Sequence, residues 1–386
     1  MNFFQPSRLN NIEPFHVMEV MKRAEEMEKS GKSLIHMGVG EPDFTAPDQV
    51  IKSAQKKMNS RKTGYSAATG IVELRKAISN YYLEYFDLDV SFNRIIITPG
   101  ASGAMLLACA ALVDRDSEVL MPDPSYPCNR HFVSAFEGIS RMIPVGPTTK
   151  FQLSLDNLNQ EWKDLTSGVM LASPSNPTGT NINSSELNKI IQFAIKREGF
   201  VLVDEIYQGL TYDEKPFSSL TLSDEVIVVN SFSKYFNMTG WRLGWMVVPE
   251  KMFSTIEKLA QNFFICPSVI SQTAALSCFE FDCIKIFEKR KNIFKERRDF
   301  LVPELEKIGF KIPVLPDGAF YIYADCSLFS DNSEIFCNTI LEKTGVVTVP
   351  GLDFGTNNSK KYIRFSYATS IENLKEAVFR LKKFLI

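Results

Sequence analysis

The chain has 386 residues, long enough for a large core and for about two or three domains on length alone. Its 45% hydrophobic and 23% charged residues exclude a disordered or fibrous chain. A net charge of −2 with no long basic run excludes the electrostatic footprint of a nucleic-acid or anionic-membrane binder.

Seven cysteines, odd in number and without a CxxC pair, read as free thiols of a reducing compartment. The histidines at 16, 36 and 131 are too scattered for a histidine-rich metal site. The opening MNFFQPSRLNNIEPF has no basic stretch followed by an apolar one, so it does not read as a secretory signal. A cytoplasmic enzyme is the expectation.

In chain order, a helix is predicted from Phe15 to about Lys29, entered through Pro14 and stopped by Gly31. The strand LIHMG (34–38) runs into the turn VGEPDF, and TGIVELRKAISNYYLEYF (69–86) reads as an amphipathic helix. RIIIT (94–98) is a buried strand opening onto PGASGAM. The apolar AMLLACAALV (104–113) is too short to cross a bilayer and fits a buried helix.

Strands and helices then alternate: EVLMP (118–122), GVMLASP (168–174), FVLVDE (200–205) and EVIVVN (225–230) are strands. Asn183 with Glu186 resembles a capping box. Leu187, Ile190, Ile191, Ala194 and Ile195 follow with the spacing of one buried helix face. Near-continuous apolar strands separated by helices predict an α/β fold, a mostly parallel, doubly wound sheet covered on both faces. A charged helix over about 282–308 leads to AFYIYAD (319–325), YIRFSYA (362–368) and a last helix from Ile371 behind Ser370, an α+β unit. The expected division is a large domain over 41–282, with 1–40 and 283–386 forming a smaller one.

Four segments fall at strand ends on one edge of that sheet, where open α/β sheets bind ligands. PGASGAM (99–105) opens a helix, whose free N–H groups and dipole suit a phosphate. SPSNPTGT (173–180) holds Asn176 between prolines. DEIY ends a strand with Asp204 and places Tyr207 three residues on, and SFSK places Lys234 just past another strand. Each has an ordinary reading alone: a tight turn, a loop, a helix cap, a solvated lysine. Together, a lysine, a buried acid, a phenol, an amide and a phosphate cradle suit a cofactor aldehyde bonded to the lysine, with its ring nitrogen on the acid and its phosphate on the helix end.

The series Asn176-Pro177-Thr178-Gly179, Asp204-Glu-Ile-Tyr207, Ser231-x-Ser233-Lys234 and Gly240-Trp-Arg242-Leu-Gly244 resembles the class I/II aminotransferases, fold type I enzymes dependent on pyridoxal 5′-phosphate. The likeness runs from MGVGEPDF (37–44) to IRFSYATS (363–370). It implies that Lys234 carries the cofactor, that Asp204 faces the pyridine nitrogen, and that Tyr207 and Asn176 bond the phenolic oxygen. It implies that Tyr126 stacks on the ring, while Ala101, Ser102, Ser231 and Arg242 hold the phosphate. Tyr65 would reach that phosphate from the other subunit of a homodimer with shared active sites. Arg364 would grip the α-carboxylate with help from Gly38 and Asn176.

The implied reaction moves an amino group between an α-amino acid and a 2-oxo acid by a ping-pong mechanism. A β-eliminating lyase on the same fold is the nearest rival, since it shares most of these residues. A nicotinamide dehydrogenase is a weaker one, because GVGEPD lacks the GxGxxG pattern and Lys234 goes unexplained. Acidic, aromatic and aliphatic donors all stay open.

Overall fold

The computed structural model describes residues 6–14 and 16–386. A short strand, β1 (Ile35–His36), precedes the main sheet. That sheet contains β2 (Ile95–Thr98), β3 (Glu118–Asp123), β4 (Ile139–Pro144), β5 (Thr166–Ala172), β6 (Phe200–Asp204), β7 (Ile227–Ser231) and β8 (Gly244–Val247). Its order is β2-β8-β7-β6-β5-β3-β4, and only β8 runs against its neighbours. β2, β7 and β8 are buried throughout, as strands covered on both faces must be.

Two strands, β4 and β8, have no clear strand signal in the sequence. β4 is a largely unburied edge strand with no apolar run to announce it. β8 begins ten residues after Lys234, at the end of a stretch legible as a site motif rather than as a strand.

Helices fill both faces. The helix Ser184–Lys196 buries Leu187, Ile190, Ile191 and Ala194 of the expected stripe, with Ile195 partly buried, at a gain of about 1.5–3 kcal/mol for each fully buried large aliphatic side chain. Asn183 caps it through Ser185 N–H at 2.9 Å. Glu186 does not close a capping box. Its carboxylate accepts the Leu155 N–H at 2.7 Å, a donor brought by the neighbouring helix.

The apolar segment after PGAS is the helix Gly100–Leu112, buried as expected. The N-terminal helix runs His16–Lys29, and Phe15, its expected first residue, lies outside the described residues. No described helix is long and apolar enough to cross a membrane.

The long helix Phe281–Ile308 leads to β9 (Tyr321–Asp325), β10 (Val346–Val347), β11 (Val349–Pro350) and β12 (Tyr362–Ser366). β11, β12 and β9 form an antiparallel sheet, and the helix Ile371–Leu385, capped by Ser370, packs behind. β1 pairs in parallel with β10, Ile35 opposite Val346, so the segment before the main sheet is hydrogen-bonded to the C-terminal unit. That pairing carries residues 37–41 to the edge of the main sheet where β5, β6 and β7 end.

Candidate active site

β5, β6 and β7 are parallel, so their C-terminal ends share one edge. A cleft of about 300 Å³ opens there, lined among others by Lys234, Asp204, Tyr126, Tyr207, Asn176 and Arg364. Residues separated by more than two hundred positions thus meet because each lies at or just past a strand end, or on β12 across from it.

Lys234 is half-buried, and its Nζ donates to the Gly40 carbonyl at 2.5 Å, with the Tyr207 and Phe320 rings 5.9 and 6.0 Å away. Burial lowers its pKa to about 8, opposed by Glu41 and assisted by Arg242 and Arg364. Asp204 is buried, with Oδ1 accepting the Ile206 N–H at 3.0 Å. Burial raises its pKa to about 6, against the pull of that hydrogen bond and of Lys234. An amine and an acid both pushed towards neutrality in one cleft make that cleft a candidate reactive site.

Tyr207 and Tyr321 share a hydrogen bond at 2.7 Å, and burial pushes both phenols upward. Burial does the same to Tyr126, with Cys128 adding to it. No sequence motif marks Tyr321 as a site residue. It sits on β9, its hydroxyl against Gly40, where a methyl group would come within 2.6 Å. Its ring also lies 4.3 Å from the Arg364 guanidinium. The signal available was the alternation of FYIYA, which cannot tell a site tyrosine from a core one.

Arg364 is buried on β12. Its Nη1 donates to Asn176 Oδ1 at 2.8 Å and its Nη2 to the Gly38 carbonyl at 2.6 Å. Its Nε is buried without a partner, a donor held in the fold with nothing to bond. Gly38 therefore enters through its carbonyl.

On the opposite side, the helix Gly100–Leu112 starts in the cleft wall with Ala101 and Ser102. Arg242 crosses its first turn, donating to the Thr239 carbonyl at 3.0 Å. Gly100 has φ +71°, and a Cβ there would lie 2.6 Å from Arg242 Nη2, so only glycine lets the guanidinium approach. A cation over a helix N-terminus is an anion site by two independent effects. Ser231 stands one layer back. Its Oγ lies 2.9 Å from Ser233 Oγ and 3.1 Å from the Leu243 carbonyl, and it is Ser233 that lines the cleft. Tyr65 is 85% exposed and does not line the cleft of its own chain.

Sheet topology, cleft and residue set define an enzyme of the fold type I kind. The family model for aminotransferase class I and II matches residues 32–381. The chain is 38% identical over 376 residues to a valine–pyruvate aminotransferase of Mycobacterium tuberculosis, covering 97% of each. It is 34% identical over 383 residues to a probable aspartate aminotransferase of Methanocaldococcus jannaschii, covering 98% of each. A crystal structure of an aminotransferase from Mycobacterium tuberculosis superposes with a TM-score of 0.96 at 37% identity, over 100% of this chain and 99% of that one.

The chain belongs to the class I and II aminotransferases, whose members depend on pyridoxal phosphate. It is an aminotransferase, and the lyase alternative is not favoured.

Proposed function

We propose that the cleft holds pyridoxal 5′-phosphate on Lys234, and that the protein is a cytoplasmic homodimer in which each subunit's Tyr65 serves the other's site. The residues fit the group. The glycine-dependent cradle of Gly100 and Arg242 suits a phosphate, the buried acid Asp204 suits a protonated ring nitrogen, and the amine of Lys234 suits an aldehyde. Bound there, the cofactor supplies an electron sink for charge developing at the substrate's α-carbon.

In this reading Arg364 binds the α-carboxylate with a planar two-nitrogen fork, and Asn176 orients that fork. Lys234 moves the proton at the α-carbon. A pKa near 8 lets its amine be free or protonated close to neutral pH, as a group that alternately takes and returns a proton requires. Asp204 keeps a negative charge opposite the ring nitrogen, and Tyr126 covers the ring. Tyr207, already paired with Tyr321, has a hydroxyl available to the phenolic oxygen. Two half-reactions then carry the amino group from an amino acid to a 2-oxo acid.

Seven free cysteines support a reducing compartment. Tyr65, exposed and away from its own cleft, supports a partner-facing role. The β1–β10 pairing supports a small domain of 1–40 with 283–386 beside a large one of 41–282. The relatives' donors differ, valine in one name and aspartate in another.

The observation that carries the proposal is Lys234 Nζ standing in the same cleft as Asp204 and Arg364. The test is the visible spectrum of the purified protein, followed by borohydride reduction and peptide mapping. A reduced adduct on Lys234 is expected, and Lys234→Ala should retain cofactor weakly while losing turnover. Undiminished turnover in that variant overturns the assignment.

A further inference from the structure

Tyr321 lines the cleft, and its side chain meets three of the groups that the proposed reaction uses. It is buried on β9 opposite Ser366 of β12. Residues 364 and 366 point to one face of that strand, so Tyr321 and Arg364 are diagonal neighbours across the pair. The Arg364 guanidinium lies 4.3 Å from the centroid of the Tyr321 ring and 4.8 Å from that of Phe354, close enough for each ring face to hold the cation. At the other end, the Tyr321 hydroxyl is 2.7 Å from that of Tyr207. The same hydroxyl abuts Gly40, whose carbonyl accepts the Lys234 amine, and a Cβ at residue 40 would lie 2.6 Å from it.

The hydroxyl pair has two arrangements, because a phenol has one proton to give and only one proton fits between two oxygens. If Tyr207 donates to Tyr321, it has no proton for a ligand. If Tyr321 donates to Tyr207, the Tyr207 proton is released for a ligand oxygen, and the bond that Tyr207 accepts makes it a stronger donor. Among the described residues, Tyr207 is the hydrogen-bond partner of the Tyr321 hydroxyl. The second arrangement therefore uses both protons once a ligand oxygen accepts from Tyr207. A ligand oxygen bearing negative charge selects it, since bonds to charged acceptors are the stronger ones.

We infer that Tyr321 is a positioning residue that acts through Tyr207 and Arg364. Its hydroxyl donates to the Tyr207 oxygen and so turns the Tyr207 proton toward the phenolic oxygen of the cofactor, while its ring seats the guanidinium that receives the α-carboxylate. This rests on the proposed function, which sets that phenolic oxygen beside Tyr207.

The test is a double-substitution cycle built from Tyr321→Phe and Tyr207→Phe. Each substitution keeps its ring, so the contacts of Tyr321 with Phe320 at 4.7 Å and with Tyr207 at 5.7 Å are preserved. Fluorescence titration of the four cofactor-free proteins with pyridoxal phosphate gives four dissociation constants. Tyr321→Phe alone is expected to weaken binding about threefold or more, the net worth of one hydrogen bond. Added to Tyr207→Phe it is expected to weaken binding no further, because the group it acts through is already gone. At saturating pyridoxal phosphate, kcat of Tyr321→Phe should fall about threefold or more, with KM for the amino donor within about twofold because the ring beside Arg364 remains.

An unchanged affinity in Tyr321→Phe, an equal loss with and without the Tyr207 hydroxyl, or a rise in KM as large as the fall in kcat overturns the inference and leaves the proposed function standing. If the unsubstituted protein binds no pyridoxal phosphate, the proposed function falls and takes the inference with it.

Discussion

Arg364 and Asn176 lie 188 residues apart in sequence and meet at 2.8 Å, Nη1 donating to Oδ1. The second guanidinium nitrogen is tied to the Gly38 carbonyl, so the fork is held from both sides, and the Gly38 side is fixed to β12 by the Ser366 N–H donating to the Met37 carbonyl at 2.7 Å. A lysine at 364 has one point of charge and cannot reproduce that plane. Arg364→Lys is therefore expected to lower kcat/KM by about a hundredfold, near 3 kcal/mol, with the cofactor absorbance retained. Steady-state kinetics decide it. An unchanged kcat/KM would remove Arg364 from substrate binding.

Asp204 makes a prediction about stability rather than rate. Its folded pKa of about 6 lies above the value of 3.8 expected when unfolded. The folded state thus prefers the protonated acid. The penalty is absent below about pH 4, grows between about pH 4 and 6, and is complete above that, reaching about 3 kcal/mol. Cofactor-free Asp204→Asn should be more stable than the unsubstituted protein at pH 8, with the gain disappearing near pH 4. Urea unfolding across that range is the measurement. A gain that is largest at pH 4 would contradict the burial argument.

Gly100→Ala probes the anion cradle. The substitution meets a φ of +71° and sets a methyl group 2.6 Å from Arg242 Nη2. The backbone cost is about 1–2 kcal/mol, and the guanidinium must also retreat from the helix end. Pyridoxal phosphate is expected to bind about tenfold or more weakly, read by fluorescence titration. Equal affinity would show that the approach of Arg242 to Gly100 does not matter to the phosphate.

Tyr65 tests the shared site. With 85% of its surface exposed and no place in its own cleft, its proposed role requires a second subunit. Sedimentation should give a species of twice 43.7 kDa. Tyr65→Ala and Lys234→Ala chains, each impaired alone, should recover activity when mixed, because one site of the mixed dimer then has both residues. No recovery after confirmed exchange would exclude the cross-subunit role.

Local rules were enough for much of the fold. The stripe of the helix Ser184–Lys196, its Asn183 cap and the strands ending at Asp204 and Ser231 are determined by neighbours along the chain. The site motifs shared this property, since each lies within a few residues of a strand end. β4 escaped because an exposed edge strand lacks an apolar run. Glu186 escaped because its partner, the Leu155 N–H, comes from another helix.

By itself the sequence determined the alternation of strands and helices, the positions of Lys234, Asp204 and Asn176 past strand ends, and the family resemblance that joined them. The tertiary structure alone decided that Tyr321 stands between Tyr207, Gly40 and Arg364. It also decided that Ser233 rather than Ser231 faces the cleft, and that Met18 and Met21 form part of its wall. The reason is physical. Hydrogen-bond periodicity and capping act within a few residues, whereas which side chains share a cavity depends on how β1, β9 and β12 pack across the sheet edge, and chain distance carries no record of that.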